Sequence, residues 1–194
     1  MKIILASGNS GKLRELTAIL GPLGHELIPQ SALGIDTPEE TGTTFLANAL
    51  LKARYVAQLG QLPALADDSG IEVDALGGRP GVYSARYASE HATDRENLQK
   101  MLDELRGVAT EGRSARYQCV IALVMRGDDA SPLIAQGTWE GHILTAPRGT
   151  GGFGYDPIFQ PQGLSTTVAE LDAALKNTLS HRAQALRALA AKLR

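Results

Sequence analysis

The chain has 194 residues of average soluble composition, a formal net charge of -2 and one cysteine. That length suits one domain, 1–194, with a sizeable core. The near-neutral charge argues against a broad electrostatic grip on nucleic acid, and one cysteine rules out an internal disulfide framework or a Cys-rich metal site.

Ile3-Ile4-Leu5-Ala6 marks a buried strand over 2–6. The chain enters that strand at once, so no signal peptide is expected. No run reaches membrane-spanning length, and the expected setting is the cytoplasm. Ser7-Gly8-Asn9-Ser10-Gly11-Lys12 follows, then a helix over 11–20 with Leu13, Leu16, Ile19 and Leu20 on one face. Gly21, Pro22 and Gly24 stop that helix. A short strand is predicted at Glu26–Pro29, an acidic loop over 31–44, and a helix capped by Thr43 or Thr44 and running to about Leu59. Ala64–Asp67 and Ile71–Asp74 read as two neighbouring strands, and Gly77-Gly78-Arg79-Pro80-Gly81 as loop.

Residues 94–105 form a helix with Leu98, Met101, Leu102 and Leu105 inward. Ala115–Met125 and Leu133–Trp139 read as long strands joined through Gly127-Asp128-Asp129, a hairpin pattern. Pro147–Gly154 is a glycine-dense loop, and Ser180 caps a last helix with Leu186, Leu189 and Leu193 as its stripe. Early βα alternation followed by an antiparallel pair predicts an α/β fold: a mixed, twisted sheet with flanking helices. Cys119, Met101 and Met125 read as core; His25, His91 and His142 lack ligand spacing and carry no assigned role.

A strand that turns through glycines into a helix is a ready anion site. The N–H groups of the first turn point outward, the macrodipole is positive there, and Lys12 adds a full charge. The stretch is not a Walker A loop: its glycine spacing is too short, and Leu13 stands where Ser or Thr would follow the lysine. The plainer alternative is an ordinary strand-to-helix turn with a solvated lysine.

Asp67-Asp68-Ser69-Gly70 lies at the carboxyl end of a predicted apolar strand, where open α/β sheets place ligands. Successive strand residues face opposite ways, so Asp67 and Asp68 are expected to differ in role. Carboxylates beside phosphates repel unless a hard cation bridges them, which Mg²⁺ does with one or two carboxylates. Glu39 and Glu40 are the natural second carboxylates, or else plain first-turn acids.

Ser180-His181-Arg182 places a cation at a helix start, against the dipole, at a cost of about 0.3–1 kcal/mol. Such conflicts concentrate at functional sites. The His181-Arg182 pair either donates hydrogen bonds to a ligand's carbonyl or phosphate or is a solvated pair on an exposed turn, and Lys176 thickens the positive cluster. The aromatics in Gly151-Gly152-Phe153-Gly154-Tyr155-Asp156-Pro157 either stack on a base or plug the loop onto the core.

Together these residues closely resemble the inosine/xanthosine triphosphate pyrophosphatases, a family acting on non-canonical purine nucleotides. The resemblance runs over nearly the whole chain. It takes in Ser7 to Lys12, Glu39-Glu40-Thr41-Gly42, Asn48-Ala49 through Lys52-Ala53, and Ala66-Asp67-Asp68-Ser69-Gly70. It continues through Gly77 to Tyr87, Phe153-Gly154-Tyr155-Asp156-Pro157 and Ser180-His181-Arg182.

The resemblance implies Mg²⁺-dependent cleavage of ITP, dITP and XTP to monophosphate and pyrophosphate. It also implies two lobes around a central substrate cleft, and a homodimer. By it, Ser7, Gly8, Asn9, Ser10, Gly11 and Lys12 hold the triphosphate. Asp68 is the base and a metal ligand, Glu40 is the second metal ligand, and Ser69 touches substrate. Phe153, Gly154, Tyr155, Asp156, Lys176, His181 and Arg182 form the nucleobase pocket. Two departures are Ala47 and Leu175, where the family usually has Glu. Two other classes stay open from sequence: a non-catalytic nucleotide-binding module, which has no need of Asp68, and a pyrophosphatase for other modified or pyrimidine nucleotides.

Overall fold

The early strands are apolar on both sides and so need cover on both faces; the computed structural model, which describes residues 1–193, supplies it. Strands β1 (Lys2–Leu5), β2 (Glu26–Pro29), β3 (Ala64–Val73), β4 (Ser114–Val124), β5 (Leu133–Ile143) and β6 (Phe159–Pro161) form one sheet in the order β2-β1-β3-β4-β5-β6. β1 pairs in parallel with β2 and β3, whereas β5 and β6 are antiparallel. The sheet is mixed, as the sequence predicts. Residues 125–132 join the neighbours β4 and β5, a link too short for a parallel crossover. The helices are α1 (Ser10–Leu20), α2 (Phe45–Gly60), α3 (Asp94–Glu104), α4 (Ala173–Leu179) and α5 (His181–Lys192). None among the described residues is long and apolar enough to cross a membrane.

The chain divides into two compact units, with boundaries inside β3, β4 and β5. The first comprises 1–68, 119–137 and the chain from Arg182 onward. On one face of its strands, Ile3, Leu5, Leu65 and Ile121 pack with Leu16 and Leu20 of α1 and Leu186 and Leu189 of α5. On the other, Ile4, Ala64, Ala66 and Ala122 pack with Ala49, Ala53 and Val56 of α2. The period-2 alternation thus decides which helix each strand residue meets. Asn9 caps α1 by accepting from the Lys12 N–H, and Thr44 caps α2 by accepting from the Ala47 N–H. The second unit comprises 69–118 and 138–181. Its core joins Ile71, Val73, Tyr117, Trp139, Tyr155 and Phe159 with Leu98 and Met101 of α3.

Several local expectations give way to the structure. Asp67 to Gly70 are not a turn between two strands: β3 runs unbroken for ten residues. Both buried carboxylates find cations, so nothing forces the chain to turn toward water. The Leu133 strand continues past Trp139 to Ile143, its far end paired to β6. Met125 is no core residue; it is 54% exposed just beyond β4. The last helix, α5, starts directly after the extended Ser180, where the sequence places it, and the short α4 before it had no counterpart in the sequence reading.

Candidate active site

In the first unit, β1 delivers Ser7, Gly8 and Asn9 to the start of α1, where Ser10, Gly11 and Lys12 form the first turn. Ser7 Oγ accepts from the Asn9 N–H (3.2 Å), so the loop is internally braced. A side chain at Gly8 would press on Thr37 Oγ1 at 3.0 Å, which gives this glycine a packing reason in its own right. Lys12 Nζ points to Asp67 Oδ2 at 3.2 Å.

Asp67 and Asp68 sit mid-strand in β3 and differ in surroundings, as the alternation requires. Asp67 is fully buried. Its Oδ2 also accepts from Arg182 Nε (3.2 Å) and Nη2 (3.0 Å). Burial alone would raise its pKa, but the charges of Lys12, Arg182 and Lys52 hold its carboxyl far below the usual carboxylate range.

Asp68 turns to α2. Its Oδ1 meets Lys52 Nζ at 3.1 Å and its Oδ2 accepts from Asn48 Nδ2 at 3.1 Å. Burial pushes its carboxyl above the ordinary range; Lys52 and Lys12 pull it down, and Glu40 adds to the rise. Burial opposes the Lys52 ammonium, yet Asp68, Glu40 and Asp67 outweigh it and raise its pKa.

Lys52 Nζ also meets Glu40 Oε1 at 2.6 Å. Asn48 Oδ1 accepts from the Gly42 N–H at 2.8 Å, and a Cβ at Gly42 would stand 2.5 Å from that oxygen. Glycine there is what lets the Glu40 loop close onto α2.

The second unit gathers the aromatic loop. Lys176 Nζ is 2.7 Å from Asp156 Oδ2 and 4.6 Å from the centre of the half-buried Phe153 ring. Asp156 also accepts from the Phe153 N–H (3.0 Å) and the Tyr117 hydroxyl (3.1 Å). The His181 ring stacks on Tyr117, centroids 4.7 Å apart. Gly152 has φ 73°, and a Cβ on it would strike Asp156. The Gly154 N–H donates to Asp94 at 2.7 Å. Tyr155 turns into the core, its hydroxyl bonded to the Ser84 carbonyl at 2.8 Å. Tyr155 thus packs the loop onto the core, and Phe153 is the loop's half-buried aromatic.

Of the residues picked from sequence, Lys12, Glu40, Asp68 and the Ser7–Gly11 loop lie in the first unit, and Ser69, Phe153 to Asp156, Lys176 and His181 in the second. Arg182 lies in the first unit. It is 1% exposed and bonded to Asp67 and to Glu15 Oε2. These carboxylates offset the cation at the helix start. Glu39 is exposed.

Glu15, Asn48, Lys52 and Tyr117 carried no role from sequence. A signal existed for two of them: Asn48 and Lys52 lie four apart on the same α2 face as Ala49, Ala53 and Val56, polar residues at core-facing positions.

The family model described as the Ham1 family matches residues 3–192. The chain belongs to the Ham1 family. This Ham1-family chain is 51% identical over 193 residues to the dITP/XTP pyrophosphatase of Shigella flexneri, covering 100% of this chain and 98% of that protein. It is 54% identical over 191 residues to the dITP/XTP pyrophosphatase of Xanthomonas campestris pv. campestris, covering 98% and 96%. A solved HAM1 protein from Coxiella burnetii superimposes with a TM-score of 0.91 at 49% identity, covering 100% of this chain and 98% of that one.

Proposed function

We propose that this chain is a nucleoside triphosphate pyrophosphohydrolase for dITP, ITP and XTP. It releases the nucleoside monophosphate and pyrophosphate, keeping deaminated purines out of DNA and RNA. The observation that carries this reading is Asp68. It is a buried carboxylate raised above its ordinary range, braced by Asn48 and Lys52, in the unit that also holds the Lys12 loop. The relatives named dITP/XTP pyrophosphatase supply the substrate class.

In this reading, water attacks the α-phosphate in line and Asp68 takes its proton. The α–β anhydride bond breaks, and pyrophosphate leaves onto Lys12 and the Ser7–Gly11 backbone. Ser69 contacts the substrate. Phe153 stacks on the base; Lys176, braced by Asp156, and His181 supply polar contacts to it.

A 6-keto purine offers an acceptor where adenine offers an amino donor, so a donor-lined pocket leaves adenine with unpaired buried donors. Glu40 and Asp68 would hold Mg²⁺: their oxygens already converge on one cation, the Lys52 ammonium, and two hard carboxylates plus substrate phosphates are the donors this ion takes. When bound, the ion offsets charge developing on the phosphates. The chain works as a single 1–194 domain, as a homodimer, in the cytoplasm.

The test is a panel of ITP, dITP, XTP, GTP, ATP and pyrimidine triphosphates, with monophosphate and pyrophosphate measured separately. ITP should give IMP and pyrophosphate together. Stepwise release of single phosphates would mean attack at the γ-phosphate, and no turnover of any nucleotide would leave only a binding module.

A further inference from the structure

β1 and β2 run parallel with Leu5 beside Pro29, so both strands end at the same edge of the sheet. Past that edge β1 feeds the Ser7–Lys12 turn and β2 feeds Gln30. Gln30 is 3% exposed and clasps the chain that follows it. Its carbonyl accepts from the Ile35 N–H at 3.1 Å, and its side-chain Nε2 donates to the Ile35 carbonyl at 3.2 Å. Ile35 is itself packed with Ile4 and Ala6 in the core. The same Nε2 donates to Thr37 Oγ1 at 2.8 Å.

The amide cannot be turned over, because Oε1 would then face the Ile35 carbonyl, acceptor against acceptor. In the orientation it keeps, Oε1 is buried without a partner. Gln30 therefore acts as a double donor, and Thr37 Oγ1 must accept from it. A threonine hydroxyl has one hydrogen and two lone pairs. With a lone pair taken by Gln30, the hydrogen stays available, and no group among the described residues accepts it. Thr37 is exposed, and its Oγ1 stands 3.0 Å from where a Cβ on Gly8 would be. A donor of fixed polarity is thus held against the anion loop.

We propose that Thr37 is a further phosphate ligand at that loop, and that Gln30 is the positioning residue that keeps its hydroxyl hydrogen turned toward the anion. This rests on the reading that the Ser7–Lys12 loop holds phosphate.

Calorimetric titration of the full chain with inorganic pyrophosphate in Mg²⁺, together with kcat/KM for ITP and ATP, tests it. Thr37→Val keeps the shape and removes the hydroxyl. It should weaken pyrophosphate binding about tenfold, the effect of losing a hydrogen bond to a charged group. Thr37→Ser should stay within about twofold of the unaltered chain. The ITP-to-ATP preference, the Tm and the Mg²⁺ affinity measured without pyrophosphate should not change in either variant. Gln30→Met should weaken pyrophosphate binding by no more than Thr37→Val does, and the double variant should lose nothing further, because both act on one bond. If Gln30→Met does not fold, Gln30→Glu takes its place in the cycle: its carboxylate accepts from the Thr37 hydroxyl and turns the hydrogen away from the anion.

Unchanged pyrophosphate affinity in Thr37→Val overturns the proposal. So does a serine variant as weak as the valine one, or a loss explained by weaker Mg²⁺ binding. A Gln30 effect that persists undiminished beside Thr37→Val removes the positioning role. Lys12→Ala separates the two claims. If it leaves pyrophosphate affinity intact, the reading of the loop as a phosphate site fails. If it weakens binding and Thr37→Val does not, only the role of Thr37 fails.

Discussion

Asp67 and Asp68 are adjacent in β3, yet their carboxylates serve opposite faces of the sheet. Asp67 meets Lys12 of α1 and Arg182 of α5, whereas Asp68 meets Asn48 and Lys52 of α2. The opposed surroundings drive their pKa values apart, one far down and one up. Pairs of titratable groups separated in this way mark a division of labour at catalytic sites.

Their stability signatures should therefore have opposite sign in metal-free buffer with chelator. Asp67 has a lowered folded pKa, so its contribution is present above its unfolded value and is lost as pH falls through the folded one. Asp68 has a raised folded pKa, so its contribution is present below its unfolded value and is lost as pH rises through the folded one. At pH 7, Asp67→Asn should destabilise the chain by about 3–5 kcal/mol, the range for breaking a buried ion pair. Asp68→Asn should leave Tm unchanged or raise it. Thermal unfolding of both variants from neutral to acid pH is the measurement; a large loss of Tm in Asp68→Asn would be the wrong sign.

Turnover should rank the two residues the other way. Asp68→Asn keeps the volume but removes the proposed proton acceptor, so kcat for ITP should fall by about 10²–10⁴-fold while nucleotide still binds. Asp67→Asn, assayed below its lowered Tm, should be milder. Single-turnover assays with separate nucleotide titrations check both.

Asn48 donates to Asp68 and accepts from the Gly42 N–H. Asn48→Ala leaves that N–H without its side-chain acceptor and Asp68 without one of its donors. Stability should fall by about 1–3 kcal/mol. Because the substrate-contacting groups stay in place, kcat should drop more than KM rises, a split that steady-state kinetics with ITP resolves.

Phe153 lies between its loop and the Lys176 ammonium. If it is the stacking surface for the base, Phe153→Ala should lower kcat/KM for ITP by roughly five- to a hundredfold, the equivalent of about 1–3 kcal/mol of stacking. Phe153→Tyr should retain most of the rate. Pyrophosphate affinity should not change in either variant, which sets these effects apart from those at Lys12.

Cys119 is buried in the first unit's core, and burial pushes its thiol up to about 12. The thiolate is the reactive form, so the native chain should resist a disulfide reagent such as DTNB and react with one equivalent only on denaturation. Fast labelling of native protein would show that this core opens readily.

What the sequence determined by itself was local. Apolar periodicity placed α1 and α3, and a threonine cap, Thr44, placed the start of α2, because those patterns and bonds span only a few residues. The strand-to-helix turn at Ser7 to Lys12 and the divergence of Asp67 from Asp68 followed from the same short-range geometry. Only the tertiary structure decided that β3 runs through its two aspartates and that Tyr155 turns inward. It alone gave Lys52 to Glu40 and Asp68, and Arg182 to Asp67 and Glu15. Arg182 meets Asp67 across 115 positions of the chain and Glu15 across 167. A buried cation takes whichever carboxylate the packing brings to it, and no pattern of neighbouring residues encodes that choice.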